Sequence, residues 1–219
     1  MRKYIYSIFL LGLFSCQEEG VVQYTQEKDG LQFSANSSED MTKVFNFATA
    51  TYEEEINGEP KTFYYGDSLA AYTFERVVLD LQGFPTPDER EYKLKTVLVE
   101  DQDSSKVAEV VFEPYYSLAP NQLKDTIKIT VLRPKTRGTY TVGITVDTEG
   151  KGAFFDKGVV EKSILRLDIK DVYEQPEGWD ERQEWLGEFD EEKYAFMVTV
   201  SKQAFSKENN HMWNETDKY

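Results

Sequence analysis

The chain has 219 residues and a formal net charge of −15, from 25 Lys+Arg against 40 Asp+Glu, with one cysteine and one histidine. That acidity argues against nucleic-acid binding, which relies on Lys and Arg displacing counterions, and against docking onto anionic lipid by charge. A single cysteine forms no internal disulfide, and His211 alone would have to carry any histidine-based triad, dyad or zinc site.

The chain opens with a basic pair, Arg2 and Lys3, then an apolar run from Ile5 to Phe14 that ends at Ser15-Cys16. The run is about ten residues, and a membrane-spanning helix needs about 20. Leu13-Phe14-Ser15-Cys16 resembles a bacterial lipobox, with Phe14 bulky for its place in it. The resemblance implies a cut before Cys16 and lipid on its sulfur. Residues 1–15 are therefore expected to be a lipoprotein signal peptide, and Cys16 the lipidation site. Residues 16–30 are polar and acidic and read as a flexible tether. The Glu18-Glu19 pair resembles the signal that sends Bacteroidota lipoproteins to the outside of the outer membrane.

From 31 to 171 apolar residues recur with period two. Val44 to Phe47, Val77-Leu79-Leu81, Tyr92 to Val99, Val107 to Phe112, Ile127-Ile129-Val131, Tyr140-Val142-Ile144-Val146 and Leu165-Leu167-Ile169 each read as a strand. Breakers separate them at Asn57-Gly58-Glu59-Pro60, Gly83 to Asp88, Ala119-Pro120-Asn121 and Arg133 to Gly138. About seven strands without helical pattern between them predict an antiparallel immunoglobulin-like β-sandwich. The 14% of aromatic residues fits a β-rich core.

Residues 172–219 form a different, tryptophan-containing segment, expected to be mixed or helical. Asp190 suits a helix N-cap, with Glu191 and Glu192 at the positive end of the helix dipole. Val198-Thr199-Val200 is β-branched, so a strand is the alternative over 190–200.

This order of pieces resembles a family of Bacteroidota lipoproteins known only as a domain of unknown function (DUF4843-like). The matching residues are the lipobox at Cys16, Val77 to Gly83, Arg90 to Leu94, Pro120, and Thr126 to Arg133. Pro176, Trp179, Leu186-Gly187, Phe189, Lys193-Tyr194 and Phe196 complete the match. Family members tend to have Ser where this chain has Asp190. The family's setting implies a place beside SusC/SusD-like uptake systems for glycans or peptides. It brings no known active site.

No nucleophile elbow, phosphate-cradling loop or His-Glu-x-x-His motif occurs, and no catalytic residue, cofactor or strong metal site is expected. Asp101 and Asp103 are weak calcium candidates, as hard oxygen ligands on a presumed loop without the EF-hand spacing. Trp179, Trp185 and Trp213, then Tyr64, Tyr65, Tyr115 and Tyr116, are the candidate ligand contacts, because a flat ring suits a pyranose face. For Trp179 and Trp185 the competing role is to pin the C-terminal segment to the β-domain. The function expected is a non-enzymatic, lipid-anchored binding or accessory protein on the outer-membrane surface. The alternatives are a structural or adhesion module binding another protein and, third, a small hydrolase.

Overall fold

The alternating residues form strands because one face of each can be buried while the other meets water. The computed structural model describes residues 28–35, 41–149 and 153–203. Residues 1–15, expected to be a signal peptide, and Cys16, His211 and Trp213 lie outside these residues.

The strands are β1 (Gly30–Phe33), β2 (Thr42–Asn46), β3 (Thr51–Ile56), β4 (Glu59–Tyr64), β5 (Ala71–Gln82), β6 (Arg90–Tyr92) and β7 (Leu94–Val97). They continue with β8 (Val110–Val111), β9 (Tyr116–Leu118), β10 (Lys124–Leu132), β11 (Gly138–Val146), β12 (Asp156–Lys157) and β13 (Ile164–Asp171). Two helices follow, α1 (Gln183–Leu186) and α2 (Glu191–Ser201). The protein is mainly β. One sheet runs β12-β1-β5-β10-β8 and a second β2-β13-β11-β7, with two small sheets, β3-β4 and β6-β9.

The inward sets are those that the alternation marks. Val77, Leu79 and Leu81 on β5, Ile127, Ile129 and Val131 on β10, Val142, Ile144 and Val146 on β11, and Leu165, Leu167 and Ile169 on β13 are all buried. They share one hydrophobic cluster fed by both large sheets. A buried side chain of this size contributes about 1.5–3 kcal/mol, so this cluster is the main source of stability. On β11 the run from Thr141 to Val146 is buried without a break, because side chains cover its outer face too. A Cβ at Gly143 would lie 2.7 Å from Val99 and 2.9 Å from Ile164 and Val97, which leaves room for glycine only.

The structure departs from the expected antiparallel pattern in two pairings. β1 runs parallel to β12, and β2 parallel to β13. Each joins strands far apart in sequence, where no short hairpin dictates direction. The stretch Tyr92 to Val99 is split: β6 pairs with β9, and β7 with β11, so the chain changes sheets at Lys93. Val107 to Phe112 yields only the short β8 and an isolated bridge from Val107 to Thr141.

A hairpin stands at Asn57-Gly58-Glu59-Pro60, which the sequence pattern marks only as a breaker. Asn57 and Gly58, at φ of 57° and 84°, make the two-residue turn between β3 and β4. Three successive glutamates in β3 and Pro60 in β4 hid these strands, since both residue types are poor in sheets.

The C-terminal segment is helical. The Asp190 carboxylate accepts from the Lys193 N–H at 2.8 Å and caps α2, which continues through Val198-Thr199-Val200 and closes at Lys202 in the left-handed region. The helix therefore displaces the strand alternative. Its inner face, Tyr194, Ala195 and Val198, forms a second cluster with Ala48, Tyr173 and Trp179.

Candidate functional site

A cleft of about 410 Å³ opens where β6, the end of β11 and the residues ahead of β9 and β12 converge. Its lining includes Glu91, Lys93, Tyr115, Asp147, Glu149 and Phe154. The volume lies in the range of about 300–1,000 Å³ typical of small-molecule sites. Two aromatic rings at the rim are over half exposed, Tyr115 at 56% and Phe154 at 53%.

The rim rings are exposed because their neighbours are buried. Tyr115-Tyr116 and Phe154-Phe155 are doublets in extended chain, where successive side chains take opposite sides. Tyr116 and Phe155 go inward and pack around the buried Tyr92, with ring centroids 5.6 and 6.1 Å from it. The Arg90 guanidinium covers the Phe155 ring at 4.7 Å and donates to Asp29 Oδ2 at 2.7 Å. The Tyr92 hydroxyl donates to Asp125 Oδ2 at 2.7 Å. Burial first, and then this carboxylate, push the Tyr92 phenol far above its ordinary range, so it stays neutral. The floor is a packed cluster of buried rings, and the rim presents its rings to water.

The polar side is set by one lysine. Lys95 Nζ lies 2.9 Å from Glu149 Oε1 and 3.0 Å from Asp147 Oδ1. Hydrogen bonds to Glu149 and Asp147 hold the Lys95 ammonium above its usual range, and Lys95 holds the Asp147 carboxyl below its own. The cleft thus offers two flat apolar faces beside fixed carboxylates able to accept hydrogen bonds from hydroxyls or amides.

The expected ligand contacts are dispersed. Tyr115 is at the cleft, but Tyr116 is buried in its floor. Trp179 is wholly buried, with Nε1 donating to the Gly187 carbonyl at 3.1 Å and its ring edge-on to Phe189 and Tyr194. It has no face to offer a sugar and pins the C-terminal segment instead. Trp185 does the reverse and is 82% exposed on α1. Tyr64 and Tyr65 are half-buried, Tyr65 against Tyr52 at 4.9 Å, and line other depressions.

Asp103 Oδ1 accepts from both the N–H and the hydroxyl of Ser105, which holds its carboxyl low and builds a turn. Among the described residues no group of three or more His, Cys, Asp or Glu is placed to hold a metal ion. Neither observation supports the calcium reading of Asp101 and Asp103. Sequence reasoning missed Phe154. The signal that could have found it is the doublet, since a paired aromatic in extended chain must split between core and surface.

The C-terminal residues that carried the family resemblance come together as a structural unit. Lys193 Nζ donates to the carbonyls of Leu186 and Glu188 at 2.7 and 2.6 Å and lies 5.4 Å from the Trp179 ring centre.

No curated protein matches the chain. Among solved structures, it is similar to the apo-form Calx CBD1 domain, with TM-score 0.38, 12% identity, and coverage of 66% of this chain and 98% of that one. It is similar to Bacteroides thetaiotamicron EndoBT-3987 with Man5GlcNAc product, with TM-score 0.37, 10% identity, and coverage of 64% of this chain and 30% of that one. For a Bacteroides ovatus GH5 xyloglucanase in complex with a XXXG heptasaccharide the TM-score is 0.30 and identity 13%, covering 65% of this chain and 19% of that one. The family described as a domain of unknown function (DUF4843) matches residues 67–203, from the turn before β5 to just past α2. That match spans more than half of the chain, which therefore belongs to this family.

Proposed function

We propose that the protein is a lipid-anchored, non-enzymatic binding component of the cell envelope, displayed on the outer-membrane surface, whose aromatic cleft holds a glycan. Acyl chains on Cys16 tether it, and the β-body acts as a rigid spacer that carries the cleft clear of the membrane. We read the two large sheets as an immunoglobulin-like sandwich, supported by the core that both feed. Service to a SusC/SusD-like transporter is the role this placement fits. A peptide is the alternative nutrient.

The observation that carries the reading is the exposed pair Tyr115 and Phe154 beside Glu91, Asp147 and Glu149 in one cleft. Ring faces take the apolar side of a pyranose, and carboxylates take its hydroxyls. A hydrolase needs a carboxylic acid kept protonated at working pH. Lys95 instead holds the Asp147 carboxyl below its ordinary range, so Asp147 is not that acid. The test is a glycan array on the protein lacking residues 1–16, followed by titration of any hit against Tyr115→Ala.

A second reading, a module that binds another protein, is favoured by one observation. Phe196 and Val200, 69% and 67% exposed, stand four residues apart on the outer stripe of α2. Co-purification of a partner lost in Phe196→Glu, together with a silent array, would select this reading.

A further inference from the structure

We infer that a second depression, between β2 and β5, is a binding site for a compact oxyanion held by Lys43, Arg76 and the Ser34 hydroxyl. The depression has about 180 Å³ and is lined by Phe33, Ser34, Lys43, Arg76, Val77, Val78 and Leu165. It shares no residue with the aromatic cleft.

Lys43 occupies an inward register. Met41 and Phe47 are buried and Phe45 packs against the core, so period two puts Lys43 on the same side. A half-buried cation there ordinarily finds a carboxylate, and this chain has 40 acids to choose from. Lys43 has none among the described residues.

Arg76 reaches the same place through a break in the sheet. β5 and β10 pair as Val77 with Ile127 and then Phe74 with Ile129, so Glu75 and Arg76 together oppose Lys128. Bulges of this kind re-aim side chains. The two bulged residues part ways: Glu75 pairs with Lys128, and Arg76 lines the depression. Arg90, Arg133, Arg137 and Arg166 all bind carboxylates, and Arg182 also has a partner. Among the described arginines, Arg76 is the one whose side chain has no hydrogen bond or ion pair.

Two cations beside one small depression repel each other, and an anion between them removes that cost. The planar guanidinium fork matches an oxyanion's geometry, and charge-assisted bonds are the strong ones. The Ser34 N–H is spent on the Val78 carbonyl, which leaves its hydroxyl free to donate. Phe33, Val77 and Leu165 form the apolar side of the depression beside the half-buried Lys43, while Arg76 stands on its solvent-exposed side. The volume is below the small-molecule range of about 300–1,000 Å³. The depression therefore takes one charged group, either a free inorganic ion or an ester carried on a sugar.

The test is titration calorimetry of the full chain in mild detergent, at constant ionic strength in chloride, with sodium sulfate, sodium phosphate and glucose 6-sulfate. The expected result is saturable one-to-one binding of at least one probe, weakened about tenfold or more by Arg76→Gln and by Lys43→Gln. The exposed control Lys157→Gln leaves it unchanged. Equal affinity for sulfate and glucose 6-sulfate identifies a free-ion site, and tighter binding of the ester identifies a sugar-borne group. No saturable heat with any probe, or binding indifferent to both substitutions, overturns the proposal. Lys43 would then be an inward charge that guards the edge strand β2 against pairing with other chains.

Discussion

Arg133 clasps Asp171 with two parallel hydrogen bonds, Nε to Oδ2 at 2.8 Å and Nη2 to Oδ1 at 2.7 Å. Asp171 ends β13 in one large sheet, and Arg133 directly follows β10 in the other. The same guanidinium donates to the Gly66 carbonyl and to Asp67, and Arg137 reaches both carboxylates while lying over the Tyr173 ring. Both large sheets and the C-terminal segment are thus joined at one charged hub. Asp171→Asn leaves two arginines short of their buried counter-charge, at an expected cost of about 3 kcal/mol. Urea unfolding followed by circular dichroism reads this as a lower midpoint.

The two tryptophans of the C-terminal segment are opposites. Trp179→Ala empties the second cluster and is expected to cost about 3–5 kcal/mol. Trp185→Ala removes an exposed ring and is expected to stay within about 0.5 kcal/mol. Thermal melts of the two variants beside the wild type check the contrast.

Asp190 makes one bond that matters to α2. Asp190→Ala exposes the Lys193 N–H and is expected to cost about 1 kcal/mol. Asp190→Ser, which keeps a capping oxygen, is expected to cost less than about half of that. Denaturant midpoints separate the two.

Tyr173 carries a buried hydroxyl that has no partner among the described residues. Tyr173→Phe is accordingly expected to be neutral or stabilising by up to about 1 kcal/mol near pH 7. Burial pushes its phenol up to about 12, against an ordinary value near 10. Between about pH 10 and 12 the unfolded chain loses this proton while the folded chain keeps it. The contribution is whole below about 10 and is lost as pH rises through 12. Stability measured at pH 8 and pH 11 should move further in favour of Tyr173→Phe at the higher pH.

The large strands were legible because period two survives in their sequence: Ile127-Ile129-Val131 and Leu165-Leu167-Ile169 face inward as read. The β3–β4 hairpin was not, because it stands almost clear of the core and its sequence needs no apolar face. The parallel edges were hidden, since pairing between residues over a hundred positions apart leaves no local mark. Asp190 announced its helix correctly. Of the cleft, only Tyr115 was legible. Phe154 belongs to a doublet that signals one inward and one outward ring, but which ring goes inward is set by the buried Tyr92, which takes Phe155. Arg76 was invisible for a similar reason, because a bulge cannot be seen without the strand opposite it.

The most direct test of the glycan-binding reading is calorimetric titration of array-identified saccharides into wild-type protein, Tyr115→Ala and Phe154→Ala. Stacking on these rings predicts saturable binding to the wild type that each substitution weakens about tenfold, with folding unchanged. A ligand that binds both variants as tightly as the wild type would contradict it.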